Sequence, residues 1–404
     1  MSKIVRDLRN YYAVIADLAS HAETWSSRPG WLEFAPNNVC NLRCIMCAQA
    51  DGVPLQVMKK EDAVALLDHV LPHTTLWTPS ALSEPMLANF RLVLEKCREH
   101  GVYLNMYSNC TLLDGAAFAD MSERVHKLWI SFDSCDPPVL EMLRAGADFT
   151  KVVQNIREVL AIAAERQIPV GFVAVLVKDN VARLAELVDF LADLGAVAAH
   201  CDLRVQPMLD NAARCAEQNV FRARSAAEIT AELDRACARA RARGLNFHVD
   251  IDEPYRRTVA MQEPFTRNIT GDVLSILLEE VRERFPQFCS MSTSYVKIEP
   301  DGRVFPCCRG PRELEMGNVH EQSLEQIWNG PKYREFRRRM FAQDYPEVCR
   351  TCDVLVANPH FDKAWLQRGN AVQGGSSSAN CSDPASGSDP ASGSDPASGS
   401  SPVT

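Results

Sequence analysis

Three cysteines fall within eight residues in the stretch CNLRCIMC, at Cys40, Cys44 and Cys47. Three thiolates at this spacing can hold three corners of an iron–sulfur cubane, which takes four cysteines when closed. A site one protein ligand short keeps a position for an exogenous molecule, the arrangement that separates catalytic metal sites from structural ones. A structural zinc site completed by a remote Cys or His is the other reading of the same residues. A second set of thiols lies far downstream, at Cys289, the adjacent pair Cys307 and Cys308, and CRTC with Cys349 and Cys352. Four ligands from this set suffice for one closed [4Fe–4S] cluster, with structural zinc again the rival.

Positioning such sites is the work of regular elements, and the pattern predicts them. Short apolar runs occur at 31–36, 74–79, 102–108, 127–133, 170–177 and 200–208, separated by helical stretches such as FRLVLEKCREHG and VARLAELVDFLADLG. Several of these helices stop at Gly or before Pro. Strand and helix in turn imply a parallel sheet with crossover helices. Six such units suggest a partial barrel, whose catalytic residues belong on the loops after the strands. Cys40, Cys44 and Cys47 follow the first of those strands.

The sequence divides into a helical arm at 1–29, a core at 30–251 ending in the strand NFHVDI, and a connecting, partly helical segment at 252–288. A cysteine-rich domain at 289–356, an extension at 357–371 and a tail at 372–404 follow, the tail repeating SDPASG three times. The tail is almost free of apolar residues and is expected to be disordered.

Composition excludes several classes of function. The 404 residues carry a net charge of −9, which offers no basic footprint for nucleic acid. No run of about 18 apolar residues occurs, so no membrane helix is expected. The first residues mix charges of both signs into an amphipathic helix, unlike a signal peptide. The fifteen cysteines are therefore expected in the reducing cytoplasm, where thiol clusters bind metal more often than they pair as disulfides.

C-x3-C-x2-C on the loop after the first strand of a βα repeat resembles the radical S-adenosylmethionine (SAM) enzymes. The resemblance implies that Cys40, Cys44 and Cys47 bind a [4Fe–4S] cluster whose fourth iron is chelated by SAM. Met46 stands where the family usually has an aromatic residue near adenine, and its polarizable thioether can lie against a ring. ALSEP (81–85) resembles the family's Gly-rich stretch ending in Glu-Pro, so Glu84 would accept from the SAM ammonium, with Ala81 and Ser83 in place of glycines. YSNCTLL (107–113) makes Ser108 and Asn109 candidates for the SAM ribose or carboxylate. WISFDSCD and RAGADF add Ser131, Asp133 and Arg144, the last toward the SAM carboxylate.

The downstream region, with its hairpin YVKIEPDGRVFPCC, resembles the C-terminal SPASM domain of these enzymes in its truncated "twitch" form. The resemblance implies one auxiliary [4Fe–4S] cluster on Cys289, Cys307, Cys349 and Cys352. Cys307 is preferred to Cys308 because Gly302 lies five positions before it.

The implied fold is α/β, a partial (β/α)6 TIM-like barrel with a small C-terminal α+β twitch/SPASM domain covering its open side. The implied activity is reductive cleavage of SAM to a 5′-deoxyadenosyl radical, followed by hydrogen abstraction from a substrate. Dehydrogenation, epimerisation or decarboxylation would follow, with an electron donor such as flavodoxin or ferredoxin as partner. Only about 30 residues precede the first strand, which leaves no room there for a leader-peptide-binding domain and favours a small polar substrate such as a sugar, aminocyclitol or nucleoside. A maturase acting on a peptide side chain is the alternative, and a non-catalytic Fe–S or zinc scaffold is the alternative of another class. Cys110, Cys135 and Cys201 fall near strand ends and are the candidates for a thiol that returns hydrogen to a substrate radical, against the plainer reading of inert buried thiols.

Overall fold

Along each strand the side chains alternate between a face packed on helices and a face turned to the inside of the sheet. The computed structural model describes residues 3–80, 82–208, 213–251, 254–265, 269–308, 312–350, 352 and 355. Seven strands run parallel in sequence order: β1 (Trp31–Phe34), β2 (Leu76–Thr78), β3 (Tyr103–Ser108), β4 (Val125–Ser131), β5 (Val170–Leu176), β6 (Asp202–Pro207) and β7 (Asn246–Val249). Helices such as Phe90–His100, Phe149–Arg166 and Leu184–Leu194 make the crossovers. This is the α/β partial-barrel class that the alternation implied.

The helix-facing positions are apolar and closed to solvent: Leu32, Phe34, Trp77, Leu104, Met106, Ile130, Phe172, Leu203, Val205 and Phe247 all belong to the main core. The intervening positions carry another chemistry. They include Glu33, Thr78, Tyr107, Lys127, Trp129, Ser131, Asp202, Arg204, Gln206 and Tyr295. Lys127 reaches Asp202 at 3.1 Å and also stands over the Trp129 ring at 4.5 Å, where Arg204 stands at 5.1 Å. Gly171 makes room for that indole, since a Cβ there would lie 2.7 Å from Trp129 Cε3.

The sheet extends beyond the seven parallel strands on both sides. Beyond β7, an antiparallel β8 (Arg257–Val259) ends one side, inside the segment read as a connector. The rest of that segment contains the helix Ile269–Arg284, which packs on the N-terminal helix Lys3–Ala19. On the other side, β9 (Tyr295–Ile298), β10 (Arg303–Phe305) and β11 (Gly317–Asn318) continue the same sheet. β9 lies parallel to β1, pairing Trp31 with Tyr295 and Glu33 with Lys297. The C-terminal hairpin is therefore fused edge-on to the barrel sheet. Its turn places Gly302 at φ 87°, a left-handed conformation that glycine adopts without strain.

Among the described residues no helix is long and apolar enough to cross a membrane. The predicted extension at 357–371, the repeat tail with Cys381, and Ala81 lie outside the described residues.

Candidate active site

The loop after β1 is held by backbone pairing to the segment that follows the helix Pro137–Leu143. Arg43 N donates to Ala145 O at 2.9 Å and Ile45 N to Leu143 O at 3.0 Å. This pairing carries Arg144 to Cys44, with Nη1 3.9 Å from Sγ. Arg144 Nε in turn meets Asp133 Oδ2 at 2.7 Å, an ion pair whose carboxylate is fully buried. Burial pushes the Cys44 thiol up to about 11, while Arg144 opposes it, so the thiolate needs a metal partner at neutral pH.

Glu84 comes from the segment after β2, fixed by its own N–H donating to Val39 O at 3.0 Å. Its Oε1 accepts from Ser108 Oγ at 2.8 Å and its Oε2 from Asn109 N at 2.9 Å. Burial pushes the carboxyl up to about 7 against these two bonds. The side chain of Asn109 faces Cys40, with Nδ2 4.0 Å from Sγ. In the stretch where glycines were replaced, the left-handed backbone falls on Leu82, at φ 58°. Gln49 holds that turn by donating to Leu82 O at 2.6 Å.

These groups surround one cavity of about 230 Å³ at the C-terminal ends of the strands. Cys40, Cys44, Met46, Cys47, Glu84, Ser108, Asn109, Ser131 and Arg144 line it together. Asp133 does not: it lies behind Arg144 and holds the guanidinium in place. None of the three proposed hydrogen-donor thiols, Cys110, Cys135 and Cys201, is among the residues that line the cavity. Cys110 is fully buried in a left-handed turn, its Sγ directed at Leu113 O. Cys201 precedes β6, at the opposite end of the sheet, and points at Ala199 O. Cys135 is half-buried near Arg183.

The far wall is formed by residues that the sequence reading passed over. Trp31, Glu33, Thr78, Tyr107, Gln206 and Tyr295 line the same cavity. Tyr295 donates its hydroxyl to Glu33 Oε2, and Trp31 Nε1 donates to Thr78 Oγ1 at 2.9 Å. Burial raises the Glu33 carboxyl, with Lys297 and the Tyr295 bond opposing. The signal available in the sequence was a polar residue at every second position of apolar strands.

The downstream thiols also converge. Burial pushes the Cys349 thiol far up, and the neighbouring charges of Cys289, Cys307 and Cys352 push it further. Cys308 is buried in a cluster with Leu278, Met291 and Tyr295, against which Cys289 also packs. The donor sets suit iron–sulfur chemistry: three thiols lining a polar cavity, and Cys289, Cys307 and Cys352 close enough to Cys349 to bear on its thiol.

A parallel α/β sheet with its chemistry on the strand-end loops and a thiol-rich hairpin at one edge defines an enzyme of the cluster-bearing barrel class. Residues 35–191 match the model of the radical SAM superfamily, and residues 289–353 match that of an iron–sulfur cluster-binding domain, SPASM. The chain belongs to the radical SAM superfamily and carries a C-terminal SPASM-type domain. It is an enzyme whose cofactors are SAM, the [4Fe–4S] cluster that binds SAM, and auxiliary iron–sulfur chemistry.

One curated relative is a dTDP-4-amino-4,6-dideoxy-D-glucose ammonia-lyase of Streptomyces venezuelae, 25% identical over 177 residues. That match covers 39% of this chain and 35% of the relative, so the chain spans about a third of the relative's length. Among solved structures, SuiB of Streptococcus suis bound to S-adenosylmethionine superposes with a TM-score of 0.56 at 17% identity, over 86% of this chain and 76% of that one. Native anSMEcpe with bound AdoMet and a peptide gives 0.52 at 18% identity, over 81% and 87%. Both likenesses are likenesses of fold.

Proposed function

We propose that Cys40, Cys44 and Cys47 hold the SAM-binding [4Fe–4S] cluster, and that Cys289, Cys307, Cys349 and Cys352 hold one auxiliary [4Fe–4S] cluster. The cavity beside Cys40, Cys44 and Cys47 takes a small polar substrate, a sugar or aminocyclitol in preference to a peptide, for hydrogen abstraction. The observation that carries this reading is the cavity itself, which joins the three cysteines and Glu84 to a wall of aromatic and hydrogen-bonding side chains. Aromatic faces with a carboxyl, an amide and hydroxyls are the groups that grip a hydroxylated ring. The aminosugar substrate named for the Streptomyces venezuelae relative supports the same class.

The bound groups supply a 5′-deoxyadenosyl radical and an acceptor for an electron. The chain's own residues do the rest. Glu84 accepts from the SAM amine, Arg144 neutralises the SAM carboxylate under the guidance of Asp133, and Met46 lies against the adenine. Trp31 and Tyr107 present flat faces to the substrate, while Gln206, Thr78 and Ser131 orient its hydroxyls. Glu33, kept in place by Tyr295, stands ready to take a hydroxyl proton as the adjacent carbon becomes a carbonyl. Dehydrogenation is favoured over thiol-quenched epimerisation, because among the described residues the thiols lining the cavity are those of the cluster loop.

The test is anaerobic reconstitution with iron, sulfide, dithionite and SAM, scored by 5′-deoxyadenosine and metal content. Two cubanes give about eight irons per chain, and Cys40→Ala removes about half together with all SAM cleavage. Cys307→Ala lowers iron by the other half, whereas Cys308→Ala leaves it intact. Absence of 5′-deoxyadenosine with iron unchanged in Cys40→Ala refutes the assignment, as does zinc in the C-terminal site for the auxiliary cluster. Nucleotide-linked aminosugars accelerating SAM cleavage support the substrate class, and acceleration by peptides alone refutes it.

A further inference from the structure

Asn109, at the end of β3, has every hydrogen-bonding group of its side chain committed. Its Oδ1 accepts from Thr111 N at 2.9 Å and from Thr111 Oγ1 at 2.6 Å. Its Nδ2 donates to Asn41 Oδ1 at 3.2 Å and toward Cys40 Sγ at 4.0 Å. An asparagine amide offers two acceptor sites and two N–H donors, so these four contacts exhaust it. The backbone N–H is engaged as well, on Glu84 Oε2.

The contacts close into a ring that fixes which way the amide points. Thr111 Oγ1 gives its one proton to Asn109 and accepts from Asn41 Nδ2 at 2.8 Å, while Asn41 Oδ1 takes the proton that Asn109 returns. The backbone N–H of Thr111 can only donate, so the Asn109 atom beside it must be the oxygen. A side-chain oxygen bonded two residues on is an Asx turn, and the residue inside it, Cys110, takes the left-handed φ of 58°. The NH2 end of Asn109 is thereby turned to Cys40. Asn109 and Thr111 are 8% and 6% exposed, and burial strengthens a hydrogen-bonded network of this kind.

We propose that Asn109 is a positioning residue for Cys40: its amide donates a hydrogen bond to the Cys40 sulfur of the SAM-binding cluster and raises that cluster's reduction potential. This rests on the reading that Cys40, Cys44 and Cys47 hold the cluster. A thiolate on iron is a charged acceptor, and bonds to charged acceptors are the stronger ones. Each electron added to the cluster makes its sulfurs more negative, so a donor aimed at sulfur favours the reduced state. Reduction takes one electron from an external donor, dithionite in vitro, and Asn109 keeps its proton throughout. With all its groups engaged, the Asn109 side chain acts on SAM through the cluster instead of binding it.

The experiment compares the reconstituted full-length protein with Asn109→Leu, which keeps the shape of the side chain and removes its donors. Clusters are titrated with dithionite and followed by electron paramagnetic resonance, the signal missing from Cys40→Ala marking the cluster concerned. The expected result is unchanged iron, unchanged SAM affinity in equilibrium dialysis, and a cluster about tenfold harder to reduce, about 59 mV more negative for a one-electron couple. One exchangeable proton coupled to that cluster, read by electron–nuclear double resonance after D2O exchange, is lost in the variant. An unmoved potential with the proton retained overturns the inference alone. Weaker SAM binding at an unmoved potential also overturns it, and makes Asn109 a ligand of SAM. Thr111→Val leaves Asn109 in place but opens the ring, and a smaller shift of the same sign is expected. Should Asn109→Leu fail to take up iron, an unmoved potential in Thr111→Val overturns the inference. A Cys40→Ala protein that keeps all its iron and signals overturns the three-thiol reading and the inference with it.

Discussion

Glu84→Gln separates what Glu84 costs the fold from what it contributes to the site. The carboxyl stands at about 7 in the folded protein, against an ordinary value of 4.5, because it is buried. A raised acid stabilises the fold fully only below the unfolded value, and that contribution is lost as pH climbs through the folded value. At about 1.4 kcal/mol for each pH unit between the two values, the ionised form costs the SAM-free protein about 3 kcal/mol above pH 8. Glutamine removes the charge but offers one acceptor oxygen to Ser108 Oγ and Asn109 N, so about half of that gain survives. The variant should therefore unfold later than the parent at pH 8, by about 1–2 kcal/mol, and lose the advantage near pH 5.

SAM binding should move the opposite way. Losing a charge-assisted bond costs about 1.5–3 kcal/mol, or about 10- to 150-fold in Kd. With a carboxyl at about 7, wild-type affinity falls about tenfold from pH 8 to pH 6, because nearly all of the binding-competent carboxylate is lost. The SAM amine titrates near pH 7.7–8.0, but it does so with both proteins and divides out of their ratio. Equilibrium dialysis of cluster-loaded protein across that range reads the ratio of Kd values. A ratio flat from pH 6 to pH 8, or a variant that is both less stable and unimpaired in binding, refutes the assignment of Glu84.

Asp133→Asn keeps the shape beside Arg144 but removes the carboxylate 2.7 Å from its Nε, leaving a buried guanidinium uncompensated. Breaking such a pair costs about 3–5 kcal/mol, and denaturant unfolding should show a loss of that order, together with weaker SAM binding and undiminished iron. Gly171→Ala drives a methyl into the Trp129 ring, whose Cε3 would lie 2.7 Å away. Overpacking of this kind costs about 1–3 kcal/mol. Because Trp129 stacks on Tyr107 in the cavity wall, substrate KM should rise more than SAM affinity falls.

Those residues also mark how far the sequence could be read. CNLRCIMC, the Glu84 segment and Arg144, which one cavity brings together, could be singled out because each sits on a loop where local spacing marks a motif. The strands were legible because Leu32, Phe34, Leu203 and Val205 alternate against helices. Asp133 was recognised as a motif residue, but its place behind Arg144 depends on packing between two distant loops. Cys110 and Cys201 illustrate the opposite limit. Both stand near strand ends in sequence, yet a left-handed turn buries one and strand direction places the other at the wrong end. Glu33 and Tyr295 were invisible as a pair, since 262 residues separate them and only the pairing of β9 with β1 unites them.

That pairing joins the two halves of the chemistry. Trp31 faces Tyr295 and Glu33 faces Lys297 across parallel strands. A slip of one residue would turn Tyr295 and Lys297 to the helix side, leaving the Glu33 carboxyl buried without its donor or its cation. The strand that supplies them lies between Cys289 and Cys307, so the thiols proposed for the auxiliary cluster flank the register that builds the far wall of the cavity. Ligating both ends of this segment to one cluster restricts such a slip, because the ligands sit on either side of β9. On the proposed ligation, the C-terminal cluster would also hold in register the strand that presents Tyr295 and Lys297 to Glu33.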